Sequence, residues 1–268
     1  MIEALKNWLR HKVHVGGFLW HILVFPQRFK RHGFRIFKGI WEARETKAMV
    51  APLKTREFLK DHVSIIIQSA GRVEYLRKTI QALRKNFNYD PVKTHWLIID
   101  DYPASYETRD YIKSLDFFEK VILNERNRGI GYSINRIFAE VKSEFVFYCQ
   151  EDFEILRSVP IARMIRIIRE NPHLSQLMLL GDDIKKFSGA RQVSVSHRET
   201  SEMFGFWPYL ASIKFFRENL PFPFYFTNVE FSFKVHRRGW LISGVYAEEQ
   251  DAPYVRHIGE ERKVLVVK

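Results

Sequence analysis

The chain has 268 residues, of which 46% are hydrophobic and 15% aromatic, so it can bury a large core and is not a disordered chain. A single cysteine, Cys149, excludes an intrachain disulfide and is consistent with a reducing compartment. The formal net charge is +12, and residues 1–60 contain 13 lysines and arginines against 4 acidic residues. This excess predicts an anionic partner for the N-terminal part of the chain.

Residues 1–60 are predicted to form a basic, amphipathic helical arm. Its apolar run, Val13 to Phe25, is about 13 residues long, whereas a membrane span needs roughly 20. No small-residue cleavage site follows the run, which argues against a secretory signal. Aromatic residues interleaved with lysine and arginine favour binding at the surface of an acidic membrane. Packing on the rest of the chain or on a second copy is the alternative, and no nucleic acid partner is expected.

From residue 61 onward, buried strands alternate with amphipathic helices. The predicted strands are Val63–Ile67, His95–Ile99, Lys120–Leu123 and Phe145–Cys149, and the predicted helices are Val73–Asn86, Ser105–Ser114 and Tyr132–Val141. This order predicts an α/β fold in which a mainly parallel sheet has helices on both faces.

The second half of the chain has a less regular pattern. It predicts a helix over Ile161–Glu170, a strand over Gln176–Leu180, an exposed strand or hairpin arm over Arg191–His197, an aromatic cavity lining over Phe204–Phe216, a helix over Val229–Arg238, and strands over Leu241–Tyr246 and Pro253–His257.

Two of the predicted strands end abruptly in polar and acidic residues. His95–Ile99 is followed by Asp100 and Asp101, and Phe145–Cys149 is followed by Gln150, Glu151 and Asp152. Ligands of open α/β sheets bind outside the carboxyl ends of the strands. Carboxylates at that edge can hold a divalent cation and, through it, a diphosphate. The pattern therefore indicates a nucleotide-dependent enzyme.

The order and spacing of these motifs resemble glycosyltransferase family 2, whose members have the GT-A (Rossmann-like) fold. The matching segments are Val63-Ser64-Ile65-Ile66-Ile67, Ile98-Ile99-Asp100-Asp101, Asn127-Arg128-Gly129 with Ser133 and Asn135, Gln150-Glu151-Asp152, Asn228-Val229-Glu230-Phe231, Arg237-Arg238-Gly239-Trp240 and His257-Ile258-Gly259. The resemblance implies a catalytic domain over residues 61–268, with a nucleotide-binding half at 61–155 and an acceptor-binding half at 156–268.

The resemblance also implies which residues contact the nucleotide-sugar donor. They are Gln68, Ala70, Arg72, Asp100, Asp101, Asn127, Gly129, Glu151 and Asp152. Asp101 resembles the family's base-reading aspartate, although Asp100 and Asp101 could instead cap the turn before Pro103. The chain departs from the family at residues 68–71, which read Gln-Ser-Ala-Gly, and at Ile134, where the family often has arginine.

Asp152 resembles the metal-binding aspartate of the family's Asp-x-Asp signature, and Gln150 stands at the first position. Glutamine can coordinate through its carbonyl oxygen but adds no charge. The implied cofactor is Mg²⁺ or Mn²⁺, because hard oxygen ligands and a diphosphate suit both ions. His257 resembles a late histidine that in some relatives joins the metal or the diphosphate, and a purely structural histidine is the alternative.

Glu230 resembles the family's general base, which takes the proton from an acceptor hydroxyl as it attacks the anomeric carbon with inversion. Thr227-Asn228-Val229-Glu230 is also a capping-box sequence, so Glu230 could instead close a helix start. Asp182 and Asp183 could bind the acceptor or act as a rival base, and a plain loop pair is the alternative.

The resulting hypothesis is an inverting glycosyltransferase that acts on a lipid-linked or polymer-bound glycan. The expected location is the cytoplasmic face of a membrane, with the arm as peripheral anchor. A catalytically inactive glycosyltransferase-like binding module is one alternative. A sugar nucleotidyltransferase is the other, although the Gly-rich loop that it needs is missing at Gln68–Arg72.

Overall fold

The computed structural model describes residues 44–182, 191–194, 196–200, 205–222, 238–240, 243–247 and 252–259. Most of the predicted arm, Asp183 and nearly all of the predicted helix Val229–Arg238, including Glu230, lie outside these ranges. None of the helices within the described ranges has the length and hydropathy required to cross a bilayer.

The strands are β1 Leu59–Ser69, β2 Phe87–Asn88, β3 Thr94–Asp100, β4 Lys120–Leu123, β5 Ser143–Gln150, β6 Phe153–Ile155, β7 Val159–Pro160, β8 Leu177–Leu179, β9 Arg191–Ser194, β10 His197–Thr200, β11 Tyr209–Ser212, β12 Ser243–Tyr246 and β13 Val255–His257. The helices are α1 Val73–Asn86, α2 Tyr106–Lys113, α3 Ile130–Phe138, α4 Ile161–Glu170 and α5 Ile213–Asn219. A further helix runs through residues 44–50.

One large sheet organises the domain, with the strand order β4-β3-β1-β5-β11-β8-β12-β10-β9. The first four of these strands are mutually parallel, as the alternation of strands and helices predicts. Antiparallel pairs enter with β11 and with the hairpin β9–β10. The predicted α/β class is confirmed.

The interior strand β1 has the apolar sequence that its position in the sheet requires. Ile65, Ile66 and Ile67 are all fully buried, since β1 lies between β3 and β5 and is covered on both sides. A continuous apolar run is typical of such a strand. On α1, Leu76, Ile80 and Leu83 recur at helical spacing and are buried against the sheet.

The segment before β1 packs on the domain. Val50 and Leu53 are 4% and 1% exposed and belong to the core. The Arg56 guanidinium donates to the carbonyl oxygens of Ala139 and Val141, just after α3, at 2.7 and 2.8 Å. Since β1 already begins at Leu59, a boundary at residue 60 falls inside a strand.

In the second half, the predicted exposed hairpin arm is present: β9 is exposed and pairs with β10 in a hairpin. The expectation that Phe204–Phe216 lines a cavity is wrong for Tyr209, Phe215 and Phe216, which are fully buried. Their rings pack on β5 and on one another because β11 pairs directly with β5.

Candidate active site

The carboxyl ends of β3, β1 and β5 lie side by side at one edge of the sheet. The register places Ser69 opposite Asp100 and Gln68 opposite Gln150. The backbone N–H of Glu151 then donates to the Gln68 carbonyl at 3.0 Å. The three segments that carry the predicted donor residues therefore converge at the edge where parallel sheets bind ligands.

Glu151 organises the turn that follows β1. Its side chain is fully buried, and Oε2 accepts hydrogen bonds from the Ser69 hydroxyl at 2.7 Å and the Ala70 N–H at 2.9 Å. Its Oε1 accepts from Arg72 Nε at 2.5 Å. Because both oxygens have partners within the protein, the geometry favours a positioning role for Glu151 over the predicted direct contact with the donor.

Asp100 is the second fully buried carboxyl at this edge. Its Oδ1 lies 2.9 Å from Ser69 Oγ, and its Oδ2 accepts from Arg109 Nε at 3.3 Å. Burial raises the pKa of both Asp100 and Glu151. The Ser69 hydroxyl has one hydrogen and stands between a carboxyl oxygen of each, so it can donate to only one of the two carboxyls at a time.

Asp101 orders the loop that leads into α3. Its Oδ1 accepts from Asn124 Nδ2 at 2.7 Å and from the Arg128 N–H at 2.9 Å, and its Oδ2 accepts from the Gly129 N–H at 2.7 Å. Asn127 Oδ1 accepts from the same Gly129 N–H at 3.1 Å. The predicted donor residues Asn127 and Gly129, in the loop between β4 and α3, are thus brought to Asp101, which directly follows β3 and is only 5% exposed.

Gln68 and Gly71 complete the turn after β1. The Gln68 side chain is 8% exposed and accepts from the Tyr148 hydroxyl, which directs its amide toward β5. Gly71 has φ +83°, and a Cβ there would lie 2.4 Å from the Tyr102 ring. Only glycine allows this close approach without strain. The departure from the family's usual residues at 68–71 therefore has a local packing reason.

Asp152 and His257 meet although they are distant in sequence. Antiparallel pairing of β13 with β6 puts His257 opposite Phe153, and His257 Nε2 lies 3.3 Å from Asp152 Oδ2. Gly259 allows its backbone segment to approach Asp152 closely, since a Cβ on Gly259 would lie 2.6 Å from Asp152 Oδ2. Asp152 Oδ2 also accepts from Arg72 Nη2 at 2.7 Å.

The residues around Asp152 fit a divalent cation that brings further ligands of its own. Asp152 Oδ1 is buried and has no hydrogen-bond partner among the described residues, and the His257 imidazole is adjacent. Carboxylate oxygen and imidazole nitrogen both suit Mn²⁺. Within the described ranges no cluster of three or more acidic, histidine or cysteine side chains could hold a metal, so other ligands, such as diphosphate oxygens, have to complete the shell.

Three residues without a predicted role also shape the site: Ser69, Asn124 and Gly259. The position of Ser69 inside the predicted turn could have indicated its role at the site. Asn124 follows β4 and so lies at the same sheet edge as the other strand ends. Gly259 comes two residues after the predicted His257, where a tight approach to Asp152 needs a small residue.

The fold and the site define an α/β domain with a polar cleft at the carboxyl ends of parallel strands, the edge at which open α/β sheets bind ligands. A model of glycosyl transferase family 2 matches residues 64–237, which is more than half of the chain. The chain therefore belongs to glycosyl transferase family 2, and the described domain is a GT-A glycosyltransferase domain. No match was found among curated proteins.

Three solved structures illustrate the similarity of the fold. S. aureus TarS in complex with UDP is 16% identical, with a TM-score of 0.54 over 73% of this chain and 60% of that chain. The mannosyltransferase PcManGT from Pyrobaculum calidifontis, in complex with GDP-Man and Mn²⁺, is 13% identical, with a TM-score of 0.55 over 77% and 64%. GalNAc-T7 with UDP, GalNAc and Mn²⁺ is 16% identical, with a TM-score of 0.54 over 73% and 43%. At these identities the similarity shows the fold, and the chain spans less than two thirds of each of these proteins.

Proposed function

We propose that the protein transfers a sugar, with inversion, from a nucleotide-diphosphate sugar to an acceptor hydroxyl. The main support is the convergence of Arg72, Asp152 and His257 at the sheet edge, with one buried Asp152 oxygen that has no hydrogen-bond partner among the described residues. Membership of family 2 and the UDP and GDP-Man complexes of the similar structures support the same donor class.

Each residue has a proposed role at this edge. The loop ordered by Asp101, with Asn127 and Gly129, would meet the nucleoside, and the turn carrying Ala70 and Arg72 would meet the diphosphate. Asp152 and His257 would hold Mg²⁺ or Mn²⁺, which stabilises the negative charge that builds on the leaving diphosphate. Gln68, Asp100 and Glu151 would keep these groups in place.

Glu230 remains the proposed general base on the ground of its sequence motif. A carboxylate there would accept the proton of the attacking hydroxyl, a contribution of about 10²- to 10⁴-fold in rate. The proposed acceptor is a lipid-linked or polymer-bound glycan at the cytoplasmic face of a membrane. Its support is the basic, aromatic composition of residues 1–60.

The test is donor turnover in the variants Asp152→Ala and Glu230→Ala. We expect each to lose at least about 100-fold in turnover of the preferred donor, with thermal unfolding close to that of the parent. Glu170→Ala is a matched control, since Glu170 is exposed at the end of α4, and should keep full activity. Unchanged turnover in both active-site variants would contradict the proposed roles of Asp152 and Glu230.

A binding module without catalysis is a second candidate because Gln150 replaces an acid of the metal signature. The same assay separates the two functions. A module would bind the nucleotide donor and show no turnover with any acceptor of a broad panel, whereas the proposed enzyme releases the nucleoside diphosphate.

A further inference from the structure

The candidate active site contains a positive charge of its own, the guanidinium of Arg72. Its Nε donates to Glu151 Oε1 at 2.5 Å, and its Nη2 donates to Asp152 Oδ2 at 2.7 Å. The backbone N–H of Arg72 also lies 3.3 Å from Glu151 Oε2. Two neighbouring carboxylates therefore fix the plane and the position of this guanidinium.

The same guanidinium keeps capacity to bind an anion. Its Nη1 donates to no residue in the described parts of the chain, and the side chain is 19% exposed. A planar guanidinium with unused N–H donors is the side chain best suited to bind a phosphate group through hydrogen bonds. Arg72 can thus hold Asp152 and a diphosphate oxygen at the same time.

The charges at this point differ from those implied by an Asp-x-Asp signature. Gln150 removes one negative charge, and Arg72 adds one positive charge directly on the remaining aspartate. A divalent cation on Asp152 would therefore meet a like charge a few ångströms away in a largely buried setting, which weakens its binding. The diphosphate, in contrast, finds a cation already in place.

We propose that Arg72 is the diphosphate-binding cation of this site and that the nucleotide binds without a divalent metal. This inference rests on the proposed function, because it assumes a nucleoside diphosphate as ligand. Metal at Asp152 and His257 then adds little to nucleotide affinity, and its proposed role is limited to the charge that builds on the leaving diphosphate during transfer. Glu151 acts as the positioning residue that holds Arg72 in place.

The experiment is calorimetric titration of the full chain with UDP and with GDP, in EDTA and in Mn²⁺. For the nucleotide that binds better, we expect dissociation constants within about threefold of each other in the two buffers, a difference well under the 1.4 kcal/mol of a tenfold change. Binding by the wild-type chain that is lost in EDTA and restored by Mn²⁺ would overturn the proposal.

Variants test the role of Arg72 itself. Arg72→Met should weaken nucleotide binding in EDTA by more than about tenfold, and Mn²⁺ should restore part of it because Asp152 is released. Arg77→Met is the matched control, since Arg77 lies on α1, the helix that begins directly after Arg72, and stacks over the Tyr111 ring. Equal affinity of Arg72→Met and the parent in EDTA would contradict the proposal. If Arg72→Met does not fold, the wild-type comparison of the two buffers decides alone.

Titration with Mn²⁺ in the absence of nucleotide, followed by electron paramagnetic resonance, separates this inference from the proposed function. Arg72→Met should bind Mn²⁺ more tightly than the parent, because the competing cation is gone. No gain in Mn²⁺ affinity would refute the competition. If the wild-type chain binds neither nucleotide in either buffer, the proposed function fails, and the Mn²⁺ titration still decides whether Arg72 shields Asp152 from metal.

Discussion

At the level of single residues, the acids of the site have distinct tasks that the sequence alone does not separate. Acidic residues after buried strands predict a polar cleft, and the register of β1, β3 and β5 produces that cleft. Which carboxylates remain for a ligand depends on partners that are distant in the chain, such as Ser69 for Glu151, 82 positions away, and His257 for Asp152, 105 positions away. Those partners are set by tertiary packing, so their identity could not be predicted.

Gly259→Ala tests the position of Asp152 without removing any polar group. An added Cβ would lie 2.6 Å from Asp152 Oδ2 and 2.9 Å from its Cβ, so the aspartate has to move. We expect donor turnover to fall by at least about tenfold, since a displacement near 1 Å can cost about 100-fold. Gly205→Ala is the control, because its Cβ would meet only ordinary contacts at 3.8 Å and beyond. Equal activity of the two variants would rule out the close approach.

The buried Asp100 predicts a defined dependence of stability on pH. Its pKa is raised by burial, so the folded state binds a proton at Asp100 more tightly than the unfolded state, whose pKa is near 3.9. The resulting stabilisation is present at low pH and is lost as pH rises through the folded-state pKa.

Asp100→Asn removes this proton uptake, and urea unfolding at about pH 4.5 and pH 8 measures the result. When the pH is lowered from 8 to 4.5, the unfolding free energy of the parent should rise relative to that of Asp100→Asn. Asp110→Asn, at an exposed position of α2, should behave like the parent. The same pH dependence in Asp100→Asn and the parent would show that Asp100 holds no such proton.

At the level of elements, the first half of the domain follows closely from the pattern of the sequence. Apolar strands alternate with amphipathic helices there, and α1 and β4 have the predicted ends. The second half was less predictable because β11 inserts antiparallel between β5 and β8. Short, fully buried strands such as Leu177–Leu179 have no periodicity that distinguishes their direction or their neighbours.

The segment before β1 is predicted to be part of the folded domain. Leu53 is 1% exposed within the core, so Leu53→Ala should lower the unfolding free energy by about 2–5 kcal/mol. Val92→Ala, at a site that is 83% exposed, should change it by less than about 0.5 kcal/mol. Urea unfolding of the full chain measures both. If Leu53→Ala lowers the unfolding free energy no more than Val92→Ala does, the segment before β1 is not part of the folded domain.

For the whole molecule, the asymmetry of charge is the main feature that the described domain does not explain. Residues 1–60 hold most of the net positive charge, and residues 1–43 lie outside the described ranges. The proposal that a membrane surface is the partner therefore rests on the basic, aromatic composition of residues 1–60. Basic clusters bind acidic lipid with about 1 kcal/mol for each lysine or arginine near the surface.

Vesicle sedimentation of the full chain tests this proposal. Binding to phosphatidylserine-containing vesicles should exceed binding to phosphatidylcholine vesicles and decrease with salt. The triple variant R28Q/K30Q/R31Q should bind about 100-fold more weakly, as about 3 kcal/mol implies. The control K78Q/K85Q/K113Q removes three exposed lysines of the domain and should bind normally. Equal binding to both vesicle types would favour packing of the arm on protein.

Thermal unfolding of the full chain with UDP, GDP and ADP tests directly whether the strand ends bind a nucleotide. We expect that one nucleoside diphosphate at about 100 times its dissociation constant adds about 2.7 kcal/mol to the free energy of unfolding, or about 5–10 °C in Tm for a chain of this size. The matching nucleoside, which has no diphosphate for Arg72 to hold, should raise the Tm far less. A Tm that none of the three nucleotides changes would contradict the claim that these strand ends form a site for an activated sugar.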